Sequence, residues 1–502
     1  VSQLKKLAGQ TALYGLSSIV GRLLNYFLVP WYTRIFDQSQ FGVVTDLYAY
    51  TVVFLILLTY GMETAFFNFS KTEKDPDSIY TTGLLSLICT SLLFGIFIYT
   101  FQETIASLLG YEENGLFVLW IAIIIALDAM LSLPFAKLRR EGKALQFAVI
   151  KLLNIGSNIA LNILFLLVIP HAFTVGYAME YKPLYDSIDP IGYVFFSNLI
   201  ASIFTAILLL PVCLKGHGVY SIGLHKKMLR YGLPLLFAGL AGSVNEVFDR
   251  ILLKYLLVIP DFVHDSSEYV LSQIGIYGAN YKLSIVMTLF IQTFRYAFEP
   301  FFFSNSDQKD SKELYARILK YFVIFGLSIF LFVMLGIDFF QFFIGESFRE
   351  GLHIVPILLV ANLFLGIVFN LSLWFKVTDN TKYGALIAGI GALITIVSNV
   401  VLIPFLGYTG SAWATLICYV SMACISYLLG QKHYKIDYDL KSIAVYIIFA
   451  GFVYAIVEAL PSFGTAFNYG LRAIALSLFV GASVLYEWKQ LKRKNYEIEN
   501  CQ

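Results

Sequence analysis

The sequence predicts an all-α polytopic membrane protein of about 14 transmembrane helices, built as two parallel-repeat six-helix lobes around a central cavity plus two C-terminal helices. Three observations predict it. Of the 502 residues, 58% are hydrophobic and only 14% charged, with mean hydropathy +0.74, whereas a soluble domain carries roughly a quarter charged residues. The apolar excess lies in blocks of about 20 residues, long enough to cross ~30 Å of hydrocarbon at 1.5 Å per residue. The third observation is that the first six blocks recur as the next six.

The N-terminal lobe, residues 1–212, holds blocks at 11–30, 43–67, 80–100, 116–136, 146–168 and 190–212. Lys5 and Lys6 precede the first block, which lacks a small-residue cleavage site and contains Arg22 and Asn25. It therefore reads as a retained helix and not a signal peptide. A cytoplasmic inter-lobe linker, 213–230, leads to the C-terminal lobe, 231–430, with blocks at 231–258, 271–302, 318–337, 353–375, 383–403 and 409–429. Residues 431–502 add two blocks, 442–460 and 468–486, and a basic tail. None of the blocks alternates as a barrel strand does, so helices are the spanning element.

The repeat is visible in short echoes. The second block ends in Glu63–Ser70 (ETAFFNFS) and the eighth in EPFFFSNS from Glu299. These blocks open on Phe41-Gly42 and Ile274-Gly275. Ser157-Asn158 in the fifth recurs as Ser398-Asn399 in the eleventh, and Gly192-Tyr193 as Gly407-Tyr408. Each half has an even number of helices and starts on the same side, so the repeats are parallel, related by an axis along the membrane normal.

Charge placement sets the orientation. With the N-terminus inside, the inside segments hold 24 of the 35 Lys/Arg, and the outside segments only Arg34, Lys182 and Arg349. The positive-inside rule then places both termini in the cytoplasm, and the inner (cytoplasmic) membrane is the expected location. The longest outside loop, 169–189, is too short to fold independently. The chemistry is expected inside the bilayer.

Several classes are disfavoured. There is no Walker A sequence and no Gly-x-Ser-x-Gly elbow. The six histidines form no HExxH or other close ligand pair, and the five cysteines are scattered, so neither a metal nor another cofactor is expected. A net charge of +2 gives no reason to expect a nucleic-acid partner. An enzyme of this kind would carry its catalytic groups on a substantial loop, and the loops here are short.

The stretch from Tyr14-Gly15-Leu16-Ser17-Ser18 through Arg34-Ile35-Phe36-Asp37 to Phe41-Gly42 resembles the start of polysaccharide-biosynthesis flippases of the O-antigen type. Phe248-Asp249-Arg250-Ile251-Leu252-Leu253, Gly275-Ile276-Tyr277 and Tyr281-Lys282-Leu283 resemble the second half of that family, which belongs to the multidrug/oligosaccharidyl-lipid/polysaccharide exporter superfamily. The resemblance implies V-shaped lobes that alternate between inward- and outward-open forms. It implies an undecaprenyl-pyrophosphate-linked glycan as cargo, a place in O-antigen and lipopolysaccharide biosynthesis, and glycan polymerase or assembly proteins as partners. The alternative within the superfamily is a cation-coupled multidrug antiporter.

An ionisable side chain within a span costs at least ~2.5–3.5 kcal/mol on insertion scales, so each asks for a reason. A pyrophosphate needs fixed cations to leave water, and the arginine fork suits phosphate oxygens. Arg22 and Arg250 lie in the first helix of each repeat, and Ser18, Arg22 and Asn25 share one helical stripe. Arg22, Asn25, Arg250, Lys282 and Arg295 are the expected substrate-binding residues. The bland reading of Arg250 is neutralisation by Glu246 at i,i+4. Asp249, Asp128, Glu63 and Glu299 are the candidate sites for a coupling proton or Na⁺, or else gate ion pairs, and Arg34 is a loop or gate residue. Gly239 with Gly242, and Gly389 with Gly391, read as close helix packing.

Overall fold

The computed structural model describes residues 19–21, 23–72, 75–215, 218–261, 263–304, 311–378, 380–460 and 465–500, and among these it is helical with no strand. In chain order the main helices are α1 (Val29–Ile35), α2 (Gln38–Thr59), α3 (Met62–Thr72), α4 (Pro76–Thr100), α5 (Gly115–Arg140), α6 (Ala144–Ile163), α7 (Gly192–Leu214) and α8 (Ile222–Leu256). They continue as α9 (Ser266–Leu283), α10 (Ile285–Ser304), α11 (Ser311–Leu335), α12 (Val355–Leu371), α13 (Lys382–Leu406), α14 (Tyr408–His433), α15 (Leu440–Ala459) and α16 (Thr465–Asn500). Among the described residues, 11 helices are long and apolar enough to cross a membrane, or 12 if the bent pair α9–α10 is one span. The remaining two expected blocks have plain reasons for missing that test. Most of the first lies outside the described residues, and the seventh is the 35-residue α8, whose second half carries Glu246, Asp249, Arg250 and Lys254.

The chain forms two compact units. One comprises residues 1–278 with 392–411; the other comprises 279–391 with 412–502. In the first, α5 is the most buried span and packs against α2, α4, α6 and α7, while α8 lies along α2. In the second, α11 is the most buried and packs against α12, α15 and α16.

Local sequence explains the helix ends. Asp37 closes a capping box on α2: its carboxylate accepts from the Gln40 N–H at 2.8 Å, and the Gln40 side chain accepts from the Asp37 N–H. Asp75 caps α4 through Ser78, whose hydroxyl holds its carboxyl below the usual carboxylate range. Between α2 and α3 the chain turns through Tyr60 and Gly61 at positive φ (32° and 72°). A Cβ on Gly61 would stand 2.7 Å from the Gly232 carbonyl oxygen, so α8 crosses this turn backbone to backbone.

Two spans depart from expectation. The fifth helix runs past 168 to Thr174 through a π-helical stretch, Leu164–Val168, just before Pro170. The proline has no N–H to offer, and the widened turn carries the helix past it. The eighth span bends by 50° at Ser284. The Ser284 hydroxyl donates to the Tyr281 carbonyl at 2.7 Å and accepts from the Asn362 amide at 3.1 Å, which draws a side chain into the helical ladder without any Pro or Gly. The tightest helix crossings are also not where they were expected. A Cβ on Gly239 would meet the Ile56 side chain at 3.2 Å, as close packing requires, but one on Gly242 or Gly389 would meet open space, whereas Gly42 and Gly275 stand backbone against backbone.

Candidate functional site

The charged and polar side chains within spans fall into a few clusters. In the first unit α2 and α8 meet around a buried ion pair. The Asp46 carboxylate, fully buried, accepts from Lys254 Nζ at 2.5 Å and from the Tyr111 hydroxyl at 2.6 Å. The Lys254 ammonium also stands over the Tyr111 ring, 4.2 Å from its centroid. One turn further along α2, the Tyr50 hydroxyl is 3.0 Å from that of Tyr255, the residue next to Lys254 on α8. Low dielectric strengthens such a pair, and two hydrogen bonds share the carboxylate's charge.

Asp249 and Arg250 form a second cluster on α8. Asp249 is buried and accepts from the Tyr277 hydroxyl on α9, from the Arg250 main-chain N–H and from Arg250 Nη1 at 3.2 Å. Arg250, also buried, donates through Nη1 to the Glu246 carbonyl oxygen at 2.8 Å. Its neighbour in charge is thus Asp249; what Glu246 contributes here is its backbone. Lys282 is half-buried at the end of α9. A third polar seam joins α5, α6 and α7: Ser202 donates to Asp128 at 3.3 Å, and Asn154 donates to Thr205 at 2.8 Å. The Lys151 ammonium lies over the Phe135 ring beside it.

Glu63 pairs with Arg139 at the ends of α3 and α5, both part-exposed. Arg34 is exposed and donates to the Pro30 carbonyl one turn back. Asn25 is exposed. Arg22 and the Glu299 side chain lie outside the described residues. The two repeat asparagines of the fifth and eleventh blocks both face polar neighbours. Asn158 accepts from Asn162, and Asn399 donates to the Thr395 carbonyl beside the Thr395–Asn245 hydrogen bond.

In the second unit, Arg295 sits on α10 with its guanidinium 4.1 Å from the centroid of the Phe369 ring. Beside it opens a small cavity lined by Phe294, Phe298, Asn370 and Lys376. Elsewhere in this unit a buried tie fixes the last two helices. Lys320 on α11 pairs with Glu487 on α16 at 2.7 Å and with Asp439, the cap of α15, at 3.6 Å; Tyr446 donates to Glu487. Arg472 pairs with Asp338 beyond the opposite end of α11.

Sequence reasoning passed over Asp46, Asn370, Lys376 and the Lys320–Glu487 pair. For Asp46 the usable signal is simply a carboxylate within an apolar block, whereas Glu487 falls one residue past the block 468–486. No group of three or more His, Cys, Asp or Glu side chains able to hold a metal is present among the described residues.

The fold has known counterparts. The chain superposes on the lipid II flippase MurJ in an inward closed conformation with TM-score 0.71 at 15% identity, covering 95% of this chain and 99% of that one. It superposes on an inward-facing MATE family multidrug resistance transporter of the MOP superfamily with TM-score 0.60 at 14% identity, covering 84% and 94%. A MOP superfamily transporter from Pyrococcus furiosus gives 0.53 at 13% identity, covering 85% and 95%. A search of curated proteins finds no match. The family model described as polysaccharide biosynthesis protein matches residues 7–306. That match covers more than half of a multi-pass chain with the MOP transporter fold, and the protein therefore belongs to the polysaccharide biosynthesis protein family.

Proposed function

We propose that this protein flips an undecaprenyl-pyrophosphate-linked oligosaccharide across the inner membrane by alternating access, as a step in O-antigen and lipopolysaccharide biosynthesis. The observation that carries the reading is the family match over residues 7–306. The cations placed within spans support it, because a diphosphate leaving water requires compensating positive charge. On this reading 1–212 and 231–430 are the moving lobes, 213–230 is their linker, and both termini face the cytoplasm. Arg22, Asn25, Arg250, Lys282 and Arg295 face the headgroup and glycan. Asp249 and Asp128 are the candidate coupling sites for a proton or Na⁺; Glu63, Glu299 and Arg34 act at the gates. The role is transport, without catalysis, and glycan assembly proteins are the expected partners.

The test is flipping of a fluorescent, pyrophosphate-linked glycolipid in proteoliposomes. Wild type is expected to move it. Arg22→Ala and Arg250→Ala are expected to slow it roughly ten- to hundredfold, the range for losing a charged hydrogen bond, while still inserting and folding. If wild type moves no polyprenyl-linked sugar but exports organic cations against an ion gradient, the antiporter reading replaces this one.

A further inference from the structure

α8 is longer than a span needs. Its 35 residues run to about 52 Å, against ~30 Å of hydrocarbon. The stretch from Pro234 to Leu256 is already about 34 Å long, so the first three turns, Ile222 to Leu233, are left over. They run across their neighbours and not along them. The Ser221 N–H, at the cap of α8, donates to Thr82 Oγ1 on α4 at 3.2 Å, and Met228, two turns later, still lies against Gly83. Gly232 then meets the turn between α2 and α3, where a Cβ would stand 2.6 Å from the Tyr60 carbonyl oxygen. Two turns of α8 thus pass α4 at a single level, which sets them along the membrane plane near the start of that span. By the charge rule this is the cytoplasmic side.

The strap that leads into α8 is pinned at the same place. A Cβ on Gly218 would stand 2.2 Å from the Asp77–Ser78 backbone, and the Val219 N–H donates to Ser78 Oγ at 3.0 Å. Val219 and Ile222 are nevertheless 77% and 65% exposed, held by main-chain bonds with their apolar side chains outward. Within α8 the faces are sorted. Met228 and Gly232 are buried against protein, whereas Ile222, Lys226, Arg230, Leu233 and Phe237, at i, i+4, i+8, i+11 and i+15, make one exposed edge. The edge is apolar at both ends and cationic between, and its far end, Phe237, runs on into the span, where exposed apolar side chains meet lipid. Lys226 and Arg230 form no ion pair among the described residues.

We infer that the first three turns of α8 and the strap before them form a docking strip for anionic phospholipid headgroups of the inner leaflet. Ile222 and Leu233 enter the acyl boundary, and Lys226 and Arg230 between them take the phosphate oxygens, their stems lying on the apolar surface. Two features select this occupant. The charge is complementary to an anionic leaflet, and the edge is continuous with the lipid-facing surface of the span. A soluble phosphate would leave the apolar ends uncovered. The strip turns half of the segment 213–230 from a free linker into an interfacial anchor. It owes nothing to the identity of the cargo, so failure of the flippase reading leaves it untouched.

The test places the full-length Ile222→Trp protein in phosphatidylcholine nanodiscs, with the parent chain as the blank for its native tryptophans. Emission from position 222 is expected to be quenched by lipids spin-labelled on the acyl chain and not by iodide in the buffer. Spin-labelled phosphatidylglycerol is expected to quench it at a several-fold lower mole fraction than spin-labelled phosphatidylcholine. Lys226→Gln and Arg230→Gln, both at exposed positions, should each cut that preference about fivefold, the share of one cation near an anionic surface, and the double variant should remove it. Added salt should weaken the preference, and glycerol phosphate in solution should leave it unchanged. Quenching by iodide with none by the lipids would place the strip in water and overturn the inference. Equal quenching by the two lipids, or a preference that survives the double variant, would make the contact apolar only and also overturn it. Loss of the preference to glycerol phosphate would reduce the strip to a site for free phosphate, with the same consequence.

Discussion

Asp46 and Lys254 are 208 residues apart in the chain and share one buried hydrogen bond. Two charges taken out of water gain little over an apolar pair, but removing one leaves the other uncompensated. Lys254→Met alone is therefore expected to cost about 3–5 kcal/mol, as is Asp46→Asn. The double variant Asp46→Asn with Lys254→Met should recover most of that loss. Unfolding in an SDS titration of mixed micelles reads all three, and a double variant as unstable as the sum of the singles would exclude the pair as the cause. The one-dimensional pattern marks Asp46 only as a carboxylate within an apolar block, near its start, where it reads as interfacial. Its meaning comes from a partner on a helix in the other repeat. Arg250 teaches the complementary lesson. Its spacing from Glu246 was legible, yet its guanidinium pairs with Asp249, which the i,i+1 spacing gives no reason to expect. In both cases side-chain direction, set by tertiary packing, decides the partner.

Among the elements, the most informative crossing is that of α2 with α9. A Cβ built on Gly42 would stand 1.9 Å from the Leu271 carbonyl oxygen, and one on Gly275 would stand 2.0 Å from the Gln38 carbonyl oxygen. Both obstacles are backbone, so the helices can only separate. The sequence echo Phe41-Gly42 and Ile274-Gly275 was legible as a repeat; that the two copies touch each other was not, because a repeat gives equivalence and not contact. Gly42→Ala and Gly275→Ala are each expected to destabilise by about 1–3 kcal/mol through overpacking. Gly278→Ala meets only the Thr45 side chain, whose hydroxyl oxygen is at 2.5 Å, so Thr45→Ala in the same chain should relieve it. Thermal unfolding by intrinsic fluorescence distinguishes the cases: rescue at 278 and none at 42 or 275. Helix existence was read correctly from block length and hydropathy. The bend at Ser284 was not, since it depends on Asn362 arriving from α12, 78 residues away.

At the scale of the whole molecule, most of the exposed large apolar side chains lie along the spans, where lipid takes the place of water. In the two C-terminal helices, α15 and α16, little of either span is buried, and they hold to α11 through charges at its two ends. The ends differ. Lys320 and Glu487 are 8% and 10% exposed at the side chain, whereas Arg472 and Asp338 are 23% and 46% exposed. Breaking the buried tie strands a charge inside, while the exposed one is already screened by solvent. Glu487→Gln is therefore expected to cost about 3 kcal/mol, and Arg472→Ala less than about 1 kcal/mol. Asp439, the third member of the inner tie, adds a pH dependence of its own. Burial pushes its carboxyl up, but hydrogen bonds from Ser442 and the Lys320 charge more than offset this, so it titrates below the usual carboxylate range. A carboxyl lowered on folding adds stability above its unfolded value of about 3.9, and that stability is lost as pH falls through the lower folded value. The share of the tie that Asp439 supplies should thus be constant from pH 5 to 8 and be lost in stronger acid, as judged by protease cleavage between α14 and α15. Because Asp439 is 42% exposed at the side chain, Asp439→Asn should weaken the tie less than Glu487→Gln. Equal protease resistance of Glu487→Gln and Arg472→Ala at neutral pH would mean that lipid-facing packing, and not the buried charge, keeps these helices on the second unit.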